Sequence, residues 1–299
     1  MRIGVTFPQD ELGGDPGALR RFAVEAENLG FEDLLLYDHV LGAVHGIDRD
    51  PPLPPHSYSE KDPFIDPLVA FGYLAGVTER IGFITGVLIL PQRQTPLVAR
   101  QAADVQTLSG GRLMLGVGLG HNPVEYDALG QDFRTRGRRV AEQIPYLRRL
   151  WSGEPFAWRG EFDRLDNAAL FPPPSEPIPI LYGGSADVAL RRAAQIADGF
   201  VFGFGMSAAA LEQWARLQEL LQEAGRATGD FRAVFDLLRE VAGSADAAAT
   251  RAVADAVERL AARGGSHATV NSARHGLVGV DDHLRFIAAA KRAIDERVS

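Results

Sequence analysis

Asp38-His39 follows directly on the short apolar run Leu34-Leu35-Leu36-Tyr37 and precedes a polar stretch that continues to Asp62. A continuous run of that length reads as a strand buried on both faces, which puts His39 just past the strand's carboxyl end. A histidine there can donate a hydrogen bond, move a proton or bind a metal. His121, His267 and His275 fall on or near the ends of other apolar runs. Asp38, His39 and His45 match no recurrent metal-ligand spacing, so no metal is assigned. Gly116-Val117-Gly118-Leu119-Gly120 closes a further apolar run, and glycines at such a point let the backbone approach a flat or anionic ligand. The run is not a dinucleotide fingerprint, because Pro123 stands three residues after Gly120 and the segment is not the first strand-to-helix turn. In Tyr182-Gly183-Gly184-Ser185, between a strand and a helix, backbone N–H groups and the serine hydroxyl could hold a phosphate or simply cap the helix.

Other chemistries find little support. There is no G-x-S-x-G elbow, no G-x-x-x-x-G-K-[ST] loop and no H-E-x-x-H pair. With no cysteine in the chain, disulfides, thiolate metal sites and a cysteine nucleophile are excluded, and any redox chemistry must come from a cofactor. A carboxylate pair for glycoside cleavage stays open on spacing alone.

The elements that must position these residues repeat. Ile3, Val5 and Phe7 alternate with small or polar residues. Asp15-Pro16 then supplies an N-cap and a first-turn proline for a helix with Leu19, Phe22, Ala23 and Ala26 on one face. Strands at Leu34–Tyr37, Ile81–Leu90, Leu113–Val117, Ile178–Tyr182, Phe200–Phe204, Ala233–Val241 and His267–Asn271 come next, each before a helix-period segment; the one after Leu34–Tyr37 carries Phe64, Leu68, Phe71 and Ala75. Eight alternations in 299 residues fit a closed (β/α)8 TIM barrel of the α/β class as one domain over residues 1–299. An open doubly wound sheet would need a phosphate fingerprint after its first strand, where Phe7-Pro8-Gln9-Asp10 stands. Insertions fall after strand 2, from His39 to Asp62 with Pro51-Pro52-Leu53-Pro54-Pro55, and before strand 5, from Trp151 to Pro177. Loops of that length are commonly lids or binding loops, or solvated proline-rich excursions. In a barrel the carboxyl ends of the strands share one mouth, which nominates Asp38-His39, Ile89, Leu119–Asn122, Gly183–Ser185, Phe202–Phe204 and Asn271–His275, with His39, His121, His267 and His275 falling on or near this rim.

A net charge of −8 spread along the chain lacks the footprint of a nucleic-acid binder. The longest apolar run, Ile81 to Leu90, falls short of a membrane span, and Met1-Arg2 leads into a strand-like segment instead of a signal sequence. The expectation is a soluble, untargeted, cytoplasmic protein with no nucleic-acid or membrane partner.

Several ordered motifs resemble the luciferase-like flavin and deazaflavin oxidoreductases, from Arg2 to about Phe204. They are Ala26-Glu27-Asn28-Leu29-Gly30-Phe31 running into Tyr37-Asp38-His39; Thr78-Glu79-Arg80-Ile81-Gly82 through Thr85-Gly86-Val87 to Leu90-Pro91-Gln92-Arg93; Leu108-Ser109-Gly110-Gly111-Arg112 through Gly116-Val117-Gly118 to Glu125-Tyr126; and Tyr182-Gly183-Gly184-Ser185 before Arg191-Arg192-Ala193-Ala194 and Ala197-Asp198-Gly199-Phe200. The resemblance implies a cofactor ring in the barrel mouth against a bulge after the third strand, with a non-proline cis peptide at Gly86–Val87. It also implies cofactor head-group contacts from Asp38, Ile89, Leu119 and Gly120, a tail phosphate at Gly183, Gly184 and Ser185, and proton transfer or polarisation by His39. Where a sugar-phosphate dehydrogenase subgroup has a catalytic glutamate this chain has His121, which puts that substrate in doubt and makes His121 a second catalytic candidate. The resemblance thus leads to a coenzyme F420-dependent oxidoreductase acting on a small organic substrate, as a homodimer. The alternatives are an FMN-dependent monooxygenase served by a partner reductase, and a non-catalytic flavin- or deazaflavin-binding protein.

Overall fold

The computed structural model describes residues 1–53, 58–239 and 242–298. Eight strands run in chain order around a closed barrel: β1 (Arg2–Thr6), β2 (Asp33–Leu36), β3 (Gly82–Thr85), β4 (Leu113–Gly118), β5 (Ile180–Gly183), β6 (Gly199–Phe202), β7 (Arg232–Asp236) and β8 (His267–Asn271). Every neighbouring pair is parallel, and pairing of β8 with β1, from Arg2 against His267 to Thr6 against Asn271, closes the ring. Parallel strands require crossover connections. Eight helices supply or follow them: α1 (Pro16–Asn28), α2 (Pro67–Ala75), α3 (Thr95–Leu108), α4 (Arg136–Leu150), α5 (Asp187–Ile196), α6 (Ala208–Glu223), α7 (Ala247–Ala261) and α8 (Gly279–Val298).

Local chemistry accounts for many of these boundaries. Asp15 accepts a hydrogen bond from the Gly17 amide and Asp66 from those of Leu68 and Val69, each with proline at the first helical position, where a missing N–H costs nothing. Most of the core lies between the sheet and its helices. A second cluster, Leu35, Ile84, Leu181, Val201 and Val234, fills the barrel itself, with Tyr37, Val87 and Met114 packed against it. This inner plug makes the barrel a solid support instead of a pore.

Four sequence expectations change. The apolar run Ile81–Leu90 is two strand pieces, β3 and a pair at Leu88–Ile89, separated by a cis Gly86–Val87 bond as the resemblance implied. The seventh strand ends at Asp236, although the Leu237 amide still donates to the Thr269 carbonyl at 2.9 Å; residues 240 and 241 of the expected strand lie outside the described residues. The insertion before β5 contains an antiparallel hairpin, Phe156–Arg159 with Arg164–Ala168. In the insertion after β2, Ala43 bridges Ser59, while Pro54 and Pro55 lie outside the described residues. Among the described residues no helix is long and apolar enough to cross a membrane.

Candidate active site

His39 leaves the carboxyl end of β2 and is held on three sides. The Tyr58 ring lies against it at 3.5 Å between centroids, Phe64 meets it edge-on at 4.6 Å, and His121 stands 6.1 Å away. Its Nδ1 is buried without a hydrogen-bond partner, 3.9 Å from the Glu125 carboxylate. The imidazole is 17% exposed. Burial, with a smaller contribution from His121, pulls its pKa from 6.5 to about 3, because a charged ring would have lost its water. At neutral pH His39 is therefore a neutral imidazole and can accept or donate a proton.

Asp38 is turned into the protein. Its oxygens accept from the Ile89 amide at 2.8 Å and from Arg93 at 2.6 and 3.3 Å. Arg93 also reaches Asp66 at 2.9 Å, so one guanidinium ties the end of β2 to the cap of α2. Burial raises the Asp38 pKa, and Arg93 acts against that rise. The carboxylate fixes the segment after the cis bond to the strand carrying His39.

That segment places Val87 across the mouth. A β-carbon at Gly183 would lie 2.7 Å from Val87 Cγ1, and one at Gly118 would collide with Val87 Cγ2. The glycines at the ends of β4 and β5 thus receive a protein side chain, not a ligand directly, and Val87 becomes part of the apolar floor. Ile89 is buried and packs over Gly120, whose φ of +63° a side chain would rarely adopt. Leu119 is half-buried, and its carbonyl accepts from the Tyr126 hydroxyl. Gly184 and Ser185 are exposed beyond β5, and α5 begins two residues later with Ala186 at its N-cap and no side-chain cap. Ser185 is therefore not the cap; its carbonyl accepts from Gln213 at 3.1 Å.

Two nominated histidines lie elsewhere. His267 is the first residue of β8, at the amino end of the barrel, where Ser266 contacts it at 2.8 Å. The apolar pattern located the strand, but His267 opens it and Asn271 ends it. His275 follows β8 but packs on Phe286 at 4.2 Å and lies 3.3 Å from Arg239, against α8. A cavity of about 1150 Å³ opens at the amino-terminal face beside His267; there Arg2 pairs with Asp33 and Arg148 with Asp198. In barrels of this kind chemistry resides at the carboxyl ends of the strands, the end that carries both the His39–His121 pair and the contact of Val87 with Gly183.

Sequence reasoning did not single out Tyr58, Phe64 or Glu125 as site residues, because they come from an insertion, a loop and a short helix instead of strand ends. It also missed a buried network under the mouth. Asp236 accepts from Thr6 at 2.9 Å, from Asn271 at 3.0 Å and from the Tyr37 hydroxyl, and Asn271 in turn donates to Tyr37 at 2.7 Å. The alternation of inward positions on β1, β2, β7 and β8 was the signal available for it.

The closed parallel barrel with a cis Gly86–Val87 bond after its third strand is the fold of a luciferase-like barrel protein. The chain belongs to the luciferase-like monooxygenase family, whose family model matches residues 1–292. It is 37% identical over 206 residues to an uncharacterized protein of Mycobacterium tuberculosis, covering 68% of this chain and 71% of that one. It is 29% identical over 260 residues to an F420-dependent glucose-6-phosphate dehydrogenase of Nakamurella multipartita, covering 85% of this chain and 71% of that one. Among solved structures, the monooxygenase RslO1 from Streptomyces bottropensis shares the fold over 100% of both chains, with a TM-score of 0.78 at 17% identity.

Proposed function

We propose that this chain is a coenzyme F420-dependent oxidoreductase that transfers a hydride between the deazaflavin and a small organic substrate, with His39 handling the accompanying proton. The observation that carries this is a neutral imidazole just past the carboxyl end of β2, pinned between Tyr58 and Phe64, at the same end of the barrel as the apolar floor made by Val87. Likeness to an F420-dependent dehydrogenase supports the choice of cofactor. When bound, the deazaflavin supplies the carbon that gains or loses the hydride.

The chain's own residues fit such a group. Val87, seated over Gly118 and Gly183, offers a flat ring an apolar surface that also excludes water. Gly183, Gly184 and Ser185 lead to the uncapped amino end of α5, where unpaired N–H groups and the helix dipole favour a tail phosphate. Leu119, Gly120 and Ile89 form the adjoining wall, and Asp38 supports it from below through Ile89 and Arg93. His39 takes or gives a proton at Nε2, and His121, 6.1 Å away, is the second proton-handling candidate.

The family description, luciferase-like monooxygenase, supports one other reading; in that reading we propose reduced FMN, oxygen and a partner reductase. Titrating the purified protein separately with coenzyme F420 and with FMN distinguishes them. Binding of F420 at micromolar concentration, with hydride exchange on a panel of small alcohols and aldehydes, supports the proposal. Preferential FMN binding favours the monooxygenase, binding without turnover on any substrate favours a carrier, and failure to bind either refutes all three.

A further inference from the structure

The proposed role of His39 leaves open which ring nitrogen carries the proton, and Glu125 bears on that. Glu125 sits on the short helix Pro123–Ala128 after β4 and is 1% exposed, with no Lys or Arg paired to it among the described residues; burial raises its pKa, and hydrogen bonds from the Leu41 and Val40 amides and the Tyr58 hydroxyl act against that rise. Its Oε1 accepts from two successive amides, Val40 at 2.6 Å and Leu41 at 3.1 Å. These are the two residues after His39, so the carboxylate clamps the chain that carries the imidazole. The same Oε1 lies 3.9 Å from His39 Nδ1. That is too long for a hydrogen bond, but it is close for a charge in a buried setting.

The two neutral tautomers differ sharply in this field. With the proton on Nδ1, an N–H dipole points at the carboxylate; with the proton on Nε2, the Nδ1 lone pair faces a negative charge with no donor between them. Low local polarity magnifies the difference. Nδ1 is the buried nitrogen, so the remaining exposure of the ring falls toward Nε2. Tyr58 and Phe64 hold the ring in this orientation.

We infer that Glu125 is the positioning residue for His39: it holds the imidazole in the Nδ1–H tautomer, so that Nε2 presents a lone pair, and is the proton-accepting atom, at the barrel mouth. This rests on the proton-handling role proposed above and specifies its direction, the resting protein being poised to accept.

Nitrogen NMR of the histidine-labelled full chain at pH 7, with the His39 signals assigned by their loss in His39→Gln, reads the tautomer without any substrate. The wild type is expected to show Nδ1 protonated and Nε2 bare. Glu125→Gln keeps an oxygen for the Val40 and Leu41 amides but removes the charge, so the Nε2–H tautomer is expected to become populated. A wild-type His39 protonated mainly on Nε2, or a Glu125→Gln spectrum with the wild-type tautomer ratio, overturns the inference. The wild-type spectrum decides even where the variant fails to fold. Unchanged turnover in His39→Gln, with the Nδ1–H tautomer present in the wild type, would instead refute the parent proposal and leave the Glu125 effect standing.

Discussion

Lowering the pH from 7 to 5 should destabilise the wild-type protein through His39, and replacing His39 with asparagine should remove that component. The ring titrates near 6.5 when solvated and near 3 in the folded chain. Because the folded value is the lower one, the unfolded chain binds the extra proton at any pH between the two. The stability conferred by the neutral ring is complete above 6.5 and drains away as the pH falls toward 3. Going to pH 5 crosses about 1.5 units of that window, at ~1.4 kcal/mol per unit, for a loss of about 2 kcal/mol. An unfolding entropy of about 2.1 cal/mol/K per residue converts this, for a chain of 299 residues, into about 3 °C of melting temperature. Differential scanning calorimetry of wild type and His39→Asn at pH 7 and pH 5 isolates the effect, since all other titrating side chains are common to both. The wild type should lose about 3 °C more than the variant on acidification. Equal losses would show that the imidazole titrates like a solvated one, and the neutral, desolvated His39 on which the proposed chemistry depends would be refuted.

The packing around the site sets three further outcomes. Arg93→Ala leaves Asp38 buried without its guanidinium and should cost about 3–5 kcal/mol in urea unfolding, the scale for breaking a buried pair from one side; a change under about 1 kcal/mol, the scale of an exposed pair, would mean that the pair does not hold the mouth together. Gly118→Ala drives a methyl into Val87 and should destabilise by about 1–3 kcal/mol while weakening coenzyme F420 binding, read by thermal melts and fluorescence titration; unchanged affinity would remove Val87 from the cofactor floor. Ser185→Asp sets a carboxylate before the uncapped end of α5 and should weaken F420 roughly five- to tenfold, with no loss for a deazaflavin lacking the phosphate tail; equal loss for both would place the phosphate elsewhere.

Much of the barrel was legible because its signals are local. Asp15-Pro16 marks the start of α1, alternation at Ile3, Val5 and Phe7 marks β1, and apolar runs mark strands such as β2 and β4, since strands covered on both faces have no polar side to show. What one strand cannot reveal is how far it reaches into the barrel. His267 and Asn271 belong to one run, and register against β1 decides that the first lies at the bottom and the second beside the mouth. Phe64 has the spacing of a residue on α2, yet it precedes the Asp66 cap and instead meets His39. Gly116–Gly120 was legible as a place needing room, but the occupants, the Thr85 carbonyl at Gly116, Val87 at Gly118 and Ile89 at Gly120, come from an earlier segment of the chain. Glu125 stood in a family motif with no role attached, because contact with Val40 and Leu41 exists only once the chain is folded.

Fluorescence titration of the purified chain with coenzyme F420 and, separately, with FMN, each repeated on Gly118→Ala, tests the proposed site most directly. Saturable micromolar binding of F420 that exceeds binding of FMN and weakens in the variant is the predicted result. F420 that fails to bind, or binds equally well once Val87 is displaced, would contradict a deazaflavin seated at this mouth.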